Sequence, residues 1–206
     1  CGTEYQVEGS SSVSRLDGKM LFVKVSNGKE LIKVDSAEVI HGLFRMEGKL
    51  DSTVMASLYM DDQNIMPLVM EKGKIQIKID NTCITATGTP LNNKLYEFVA
   101  RKNALDDRAY EIERMESRMI MDGKPFSEVE QEIAKERANL SDEFDKLVKE
   151  FVQNNYENVL GPAIFQMMSN GYTSPKITPL MEQILKEAPE SFRSHTMVRS
   201  LVDASR

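Results

Sequence analysis

Histidine and cysteine are scarce: the 206 residues contain two of each. Two cysteines, Cys1 and Cys83, cannot form a disulfide framework, and their separation fits no zinc-ligand spacing. The sequence has no phosphate-binding glycine loop, no G-x-S-x-G elbow, no H-E-x-x-H and no C-x-x-C. The common local signatures of nucleotide, acyl-transfer, zinc-hydrolase and dithiol chemistry are therefore missing. No apolar run is long enough to span a bilayer, since the longest charge-free apolar stretch, residues 159–174, is interrupted by Gly161, Pro162, Asn170 and Gly171. Basic charge is not in excess either. With 26 Lys and Arg against 32 Asp and Glu, net −6, the chain as a whole exerts no pull on nucleic acid or anionic lipid. What is present, 41% apolar and 28% charged residues, is the composition of a soluble globular protein that can bury a core without disulfides or metals.

Cys1 is the candidate lipid-attachment residue. A chain that opens Cys-Gly without an initiator Met is what remains when a bacterial lipoprotein signal peptide is removed; the alternative is a sequence that happens to start there. Gly2 to Glu4 suit a flexible tether. With one acidic residue and no charged run, they are expected to belong to a periplasm-facing envelope lipoprotein whose membrane contact is the lipid anchor alone.

The chain reads in two halves, residues 1–89 and 90–206. In the first, short runs rich in β-branched, aromatic and Met residues predict strands at 19–25, 39–47, 53–60, 65–70, 74–79 and 83–87. Lys74 to Ile79 alternates strictly, putting Ile75, Ile77 and Ile79 on one face of the pleat and Lys74, Gln76 and Lys78 on the other. Turn signals at Asp17-Gly18, Ser26 to Gly28, Asp61 to Asn64, Lys72-Gly73 and Asp80-Asn81 separate the runs, predicting an antiparallel β-sandwich or partly open barrel. From Pro90 the period becomes helical. One apolar stripe runs through Leu91, Leu95, Phe98, Val99 and Leu105, and another through Leu140, Phe144, Leu147, Val148, Phe151 and Val152. Asp122 to Pro125 breaks between them, and Ser127 with Glu130 reads as a capping box. An α+β protein follows, its sandwich succeeded by an all-α domain with an antiparallel hairpin about 40 Å long. Salt pairs are expected at Glu97–Arg101, Asp142–Lys146 and Asp145–Lys149. Further on, Thr178 fits an N-cap, Pro162 and Pro179 fit first helical turns, and Gly171 fits a stop; a last helix is expected over 189–204.

The catalytic inventory is thin. His41 and His195 are the near-neutral acid–base candidates, but His41 before Gly42 reads as a turn or edge residue and His195 as part of a solvated helix face. Cys83 has no His or second Cys near it in sequence, so it reads as a buried, inert small hydrophobe. Thirteen methionines raise the question of a copper(I) site, best at Met115, Met119 and Met121; most others occupy strand positions where Leu would serve, which favours core packing. Asp61 to Asn64 lacks the glycine and distal glutamate of a calcium loop and reads as a hairpin turn. On the helices, Ile112, Met115, Met119 and Ile120 are expected to need cover, with self-association its simplest source.

Several segments in order carry a resemblance: Tyr5-x-Val7-x-Gly9; Val34-Asp-Ser36 leading to Val39-Ile-His-Gly42-x-Phe44-x-Met-x-Gly48; Pro67-Leu-Val-Met-Glu-Lys-Gly73-Lys-Ile-x-Ile77; and Thr87-Gly88-Thr-Pro-Leu-Asn92-Asn-Lys-Leu95-Tyr-x-Phe98. Over about residues 5–98 this resembles the N-terminal domain of unknown function found ahead of the thioredoxin-like domain in Bacteroidetes envelope thiol-disulfide oxidoreductases, the peroxiredoxin-like and cytochrome-maturation-type proteins. The W-C-x-x-C of that domain is missing, so its catalytic cysteines have no counterpart among these residues. The resemblance implies a non-catalytic envelope module, without cofactor or metal, that positions, dimerises or recruits partners for a downstream or separate thioredoxin-like domain. The alternatives are a stand-alone ligand- or metal-binding lipoprotein, or an enzyme using His41 or Cys83.

Overall fold

A computed structural model describes residues 3–169 and 176–206. The described residues form strands β1 (Thr3–Ser11), β2 (Met20–Ser26), β3 (Leu31–Glu38), β4 (Leu43–Leu50), β5 (Val54–Met60), β6 (Gln63–Met70), β7 (Gly73–Ile79) and β8 (Ile84–Thr87). Helices α1 (Pro90–Met121), α2 (Phe126–Asn154), α3 (Leu160–Met167), α4 (Pro179–Glu187), α5 (Glu190–Arg193) and α6 (Thr196–Ala204) follow. By contacts, residues 1–96 with 158–163 make one compact unit, and 97–157 with 164–206 make another, so the division falls within α1.

The first unit contains two four-stranded sheets, ordered β4-β1-β7-β8 and β3-β2-β5-β6. All pairings are antiparallel except β1 with β7, which run parallel; the strands β2 to β6 lie between them in sequence and provide the long crossover a parallel pair needs. Alternation decides the faces as expected on β7, where Ile75, Ile77 and Ile79 are buried and Lys74, Gln76 and Lys78 exposed. Leu21, Val23, Leu58, Leu68 and Met70 from the second sheet are fully buried with them. Two cross-strand pairs between β1 and β4 match an aromatic residue with a glycine, Tyr5 with Gly48 and Phe44 with Gly9. At each glycine the ring occupies the place of a side chain: a Cβ on Gly9 would lie 2.0 Å from the Phe44 ring, and one on Gly48 2.8 Å from the Tyr5 hydroxyl.

Two strands escape the sequence reading. β3 is an edge strand with little burial, so its residues show no clean alternation, and a register shift opposite Val23 and Lys24 breaks the period further. β1 begins at Thr3, pairing Thr3 with Leu50 and Glu4 with Lys49, so the strand claims residues read as tether.

In the second unit α1 and α2 run antiparallel. Phe98 stacks on Phe151 at 4.5 Å, Arg108 pairs with Glu143, and Glu116 pairs with Arg137 at 3.9 Å, so positions rise along α1 as their partners fall along α2. Near the turn, Ile112, Met119, Val129 and Ile133 close a small core joined by Met115 and Leu140. Ile112, Met115 and Met119 thus obtain their cover from the hairpin itself, whereas Ile120 and Met121 remain exposed. Further along, Phe192 packs edge-on against Tyr156 and Phe165, and the Tyr156 hydroxyl donates to the Ile184 carbonyl at 2.9 Å.

Several local expectations change. α2 starts after Pro125 with no side-chain cap, because Ser127 already lies inside the helix, so no capping box forms. Glu97–Arg101 pairs at 3.0 Å, but Lys149 reaches Glu187 of α4 at 3.7 Å instead of Asp145, and among the described residues no ion pair joins Asp142 to Lys146. The last helix is two, interrupted at Ser194 and His195. Thr178 caps α4 as expected, its hydroxyl accepting from the Met181 N–H at 3.2 Å with Pro179 next to it. Gly171 lies outside the described residues. No helix among the described residues is long and apolar enough to cross a membrane.

Candidate functional site

The densest polar constellation lies in the sandwich unit, where β6, the turn after it and the start of α1 meet. As the last strand of its sheet, β6 leaves one row of backbone groups without a partner strand, and Pro67 sits there because an edge tolerates the loss of an N–H. The row is closed by side chains of α1. The fully buried Asn92 carboxamide accepts from the Val69 N–H at 2.8 Å and donates to the Val69 carbonyl at 2.8 Å, imitating a neighbouring strand. One turn on, the Tyr96 hydroxyl donates to the Pro67 carbonyl at 2.6 Å, and burial holds its pKa far above the usual tyrosine range.

Glu71 supplies the other half. Its buried carboxylate accepts from the Thr89 hydroxyl at 2.8 Å and from the backbone N–H groups of Leu91 at 3.0 Å and Asn92 at 2.9 Å. Those are donors that the first turn of α1 would otherwise leave without partners, and the helix dipole favours negative charge at that end. Asn92 also donates to the Thr89 hydroxyl at 2.9 Å, and Asn93 accepts from the Gly88 N–H at 3.0 Å. Gly88 has φ +95° with the Lys74 carbonyl 2.5 Å from where a Cβ would be, so glycine alone lets β8 turn into the helix there. No buried side-chain nitrogen or oxygen among the described residues lacks a partner. The cluster therefore acts as a joint. It binds a sheet edge to a helix start, and each of its buried side-chain oxygen and nitrogen atoms already has a partner within the protein.

A second internal contact is the Tyr5 hydroxyl, which donates to Asp35 of β3 at 2.6 Å. Burial first, then the hydrogen bond to Asp35 and its negative charge, raise the Tyr5 pKa well beyond the usual tyrosine range.

The outer face of the first sheet is polar and open. Glu8 on β1 lies between Arg45 of β4 at 3.9 Å and Lys74 of β7 at 3.1 Å, and Glu4 pairs with Lys49 at 3.2 Å. A shallow hollow of about 430 Å³ runs across this face, lined by Glu8, Ser10, Gln76, Lys78, Thr85 and Thr87 among others.

The candidate acid–base and thiol residues are not gathered. His41 is exposed in the two-residue turn joining the bridge at Ile40 to β4, with φ +52°, and Gly42 follows at φ +75°; two successive positive values suit a type I′ turn. Cys83 is exposed just before β8, its carbonyl accepting from the Asp80 N–H at 2.8 Å in the β7–β8 turn. That overturns the reading of a buried thiol: the apolar run Cys-Ile-Thr-Ala starts the strand at Ile84, and the cysteine belongs to the turn. Both turns lie at the same end of the first sheet, but β1 and β7 separate β4 from β8, which places them about 14 Å apart at normal strand spacing. His195 is the exposed N-cap of α6, with Nδ1 accepting from the Met197 N–H at 3.2 Å. Of Asp61 to Asn64, only Asp61 and Asp62 form the β5–β6 hairpin turn, with Asp61 at φ +53°; Gln63 and Asn64 already pair with Met60 and Tyr59 as the start of β6. Of the methionine cluster, Met115 and Met119 lie in the hairpin core and Met121 is 86% exposed. Cys1, the candidate lipid-attachment residue, lies outside the described residues.

Residues 5–95 match the model of a family described only as a domain of unknown function, DUF4369. No curated protein matches the chain. The matched span takes in both sheets and the joint residues Glu71, Thr89 and Asn92, and ends one residue before Tyr96.

Proposed function

We propose that this chain is a non-catalytic module of a thiol-disulfide oxidoreductase system, one that positions, dimerises or recruits partners for a thioredoxin-like domain. The single observation that carries the reading is the use made of the distinctive residues within the matched span. Tyr5, Gly9, Phe44 and Gly48 knit β1 to β4, while Glu71, Gly88, Thr89 and Asn92 join the sandwich to a helix. Residues of the kinds that usually carry chemistry, Glu71 and Tyr5 among them, are engaged in holding the scaffold. In this reading Cys1 carries a lipid, the module faces the periplasm, and its surfaces rather than a reaction centre are what it contributes.

The test is an insulin-reduction assay on a thioredoxin-like domain carrying W-C-x-x-C, alone and joined after Arg206. The joined protein should show changed partner preference or assembly with unchanged intrinsic thiol exchange, and residues 1–206 alone should stay at the free-thiol background. Turnover by residues 1–206 alone, or a joined protein indistinguishable from the isolated domain, would defeat the proposal. Cys1→Ser in the precursor should release the protein from the membrane fraction, and retention would defeat the lipid-anchor part.

A second reading is a ligand-binding module, favoured by the polar hollow on the first sheet. Its side chains, Glu8, Gln76, Lys78, Thr85 and Thr87, suit a polar, hydroxyl-rich ligand. Ligand-dependent shifts of the Thr85 and Thr87 amide resonances on titration with soluble saccharides would select it.

A further inference from the structure

Each sheet of the sandwich has two edges, and three of the four are closed or blunted. β6 is sealed by Asn92 and Tyr96 and contains Pro67, β8 has four residues, and β3 faces a register shift on β2. β4 is different. It has eight residues without a proline and pairs with β1 in unbroken register. At its start the Ser11 N–H donates to the Gly42 carbonyl at 2.7 Å, while Leu43 exchanges both backbone bonds with Ile40 on the other side. These directions alternate in an antiparallel ladder, so Phe44, Met46 and Gly48 bond to β1, and Arg45, Glu47 and Lys49 turn their N–H and C=O groups outward. Among the described residues those outward groups have no backbone partner. A long open edge of this kind is a template for another strand.

The side chains say which strand fits. Arg45, Glu47, Lys49 and Asp51 are exposed and alternate in sign. Glu8 lies 3.9 Å from Arg45 and Glu4 3.2 Å from Lys49, whereas Glu47 and Asp51 make no ion pair among the described residues. When a second β4 lies antiparallel with a two-fold axis at Gly48, Glu47 of each copy falls opposite the partner's Lys49, and Arg45 opposite the partner's Asp51. Axes at Arg45, Glu47 or Lys49 set like charges opposite each other. An axis at Met46 matches Arg45 with Glu47 but brings the partner's Lys49 against Leu43, whose outward backbone Ile40 already holds. Gly48 suits the axis for a further reason: the two residues there form a non-hydrogen-bonded pair, the closer kind, and neither brings a side chain.

We propose that two copies of this chain pair through β4, joining their four-stranded sheets into one across a two-fold axis at Gly48. Glu47 and the partner's Lys49 exchange backbone hydrogen bonds and form an ion pair, and the axis repeats both. Rows of alternating sign then cross the junction, from Glu4 through Lys49 to the partner's Glu47, and from Glu8 through Arg45 to the partner's Asp51. The pairing deepens the dimerising role in the module reading and rests on that reading for its purpose, which is to hold two thioredoxin-like domains in one assembly.

Sedimentation equilibrium of non-lipidated residues 1–206 should show monomer and dimer in a concentration-dependent balance. Glu47→Lys and Lys49→Glu should each weaken the dimer about thirtyfold, because two attractive cross-strand pairs become repulsive. Both changes in one chain restore the complement and should recover most of the loss. Mixing the two single variants should give heterodimers at concentrations where each alone is monomeric, with circular dichroism unchanged throughout. A monomer at every concentration up to the solubility limit would overturn the proposal. So would a dimer indifferent to either single charge reversal, which would assign the contact to another surface such as that around Met121, or a pair of single variants that do not associate when mixed. None of these measurements involves a thioredoxin-like domain, so they fail separately from the module reading: a dimer that leaves the joined protein unchanged in the insulin-reduction assay would defeat that reading alone.

Discussion

The two units are held together by different means. In the sandwich, residues far apart in sequence interlock: Leu58, Leu68 and Ile75 are fully buried, and Glu71 and Asn92 tie an edge strand to a helix through charge-assisted and bidentate hydrogen bonds. In the hairpin no residue from Val99 to Glu111 is fully buried, and among the described residues the contacts across this stretch include a small core near the turn, the Phe98–Phe151 stack and exposed ion pairs. The contrast teaches where sequence change is tolerated. A joint whose every member satisfies another fails as a unit, whereas a thin seam loses stability in small increments.

The sharpest way to break the comparison is Asn92→Ala. It leaves the buried N–H and carbonyl of Val69 both without partners, so the midpoint of chemical denaturation should fall by the equivalent of about 4 kcal/mol. A loss below 1 kcal/mol would show that water replaces the amide and that the joint is not the keystone of the sandwich. The next test sets core against seam. Leu58→Ala in the sandwich should cost about 3 kcal/mol and Leu140→Ala, only partly buried in the hairpin, about 1 kcal/mol; equal costs would erase the distinction.

Smaller effects sharpen it. Tyr5→Phe removes the hydrogen bond to Asp35 and should cost about 1 kcal/mol at neutral pH. Because the folded protein raises the Tyr5 pKa, the contribution is intact below the unfolded tyrosine value of about 10 and is lost as pH rises above it. Tyr5→Phe should therefore flatten the alkaline fall of the melting temperature, and Tyr5→Phe with Tyr96→Phe should flatten it more. The smallest change is Asp145→Asn on α2. Partial loss of hydration on the helix surface, then the nearby Asp142, raise the Asp145 pKa, so this carboxyl favours the fold at low pH and the benefit disappears as pH rises through its folded value. The variant should melt slightly higher than the parent at neutral pH and not at acidic pH.

How much was legible in the sequence depends on the range of the signal. Lys74 to Ile79 and Thr178-Pro179 announce themselves because a strand's pleat and a helix's first turn are decided by neighbours a few residues apart. The motif residues were visible as a pattern and their positions at turns and at the start of α1 were readable, but their partners were not. Glu71 and Asn92 are separated by 21 residues, and Tyr5 and Asp35 by 30. Cys83 misled because an apolar run reads as buried from its first residue, while the turn between β7 and β8 takes that residue for itself.

By itself the amino-acid order determined the switch from period two to helical period near Pro90, the break at Asp122 to Pro125, and the inward face of β7, all consequences of local geometry and side-chain polarity. Only the tertiary structure decided that β1 lies parallel to β7, that Glu71 serves a helix it does not belong to, and that His41 and Cys83 share an end of a sheet without meeting. It also decided that Met119 is buried while Met121, two residues on, faces solvent. The reason is physical. Pairing and burial depend on which distant segment closes the contact, and that choice is made by the free energy of the whole unit rather than by any window of its sequence.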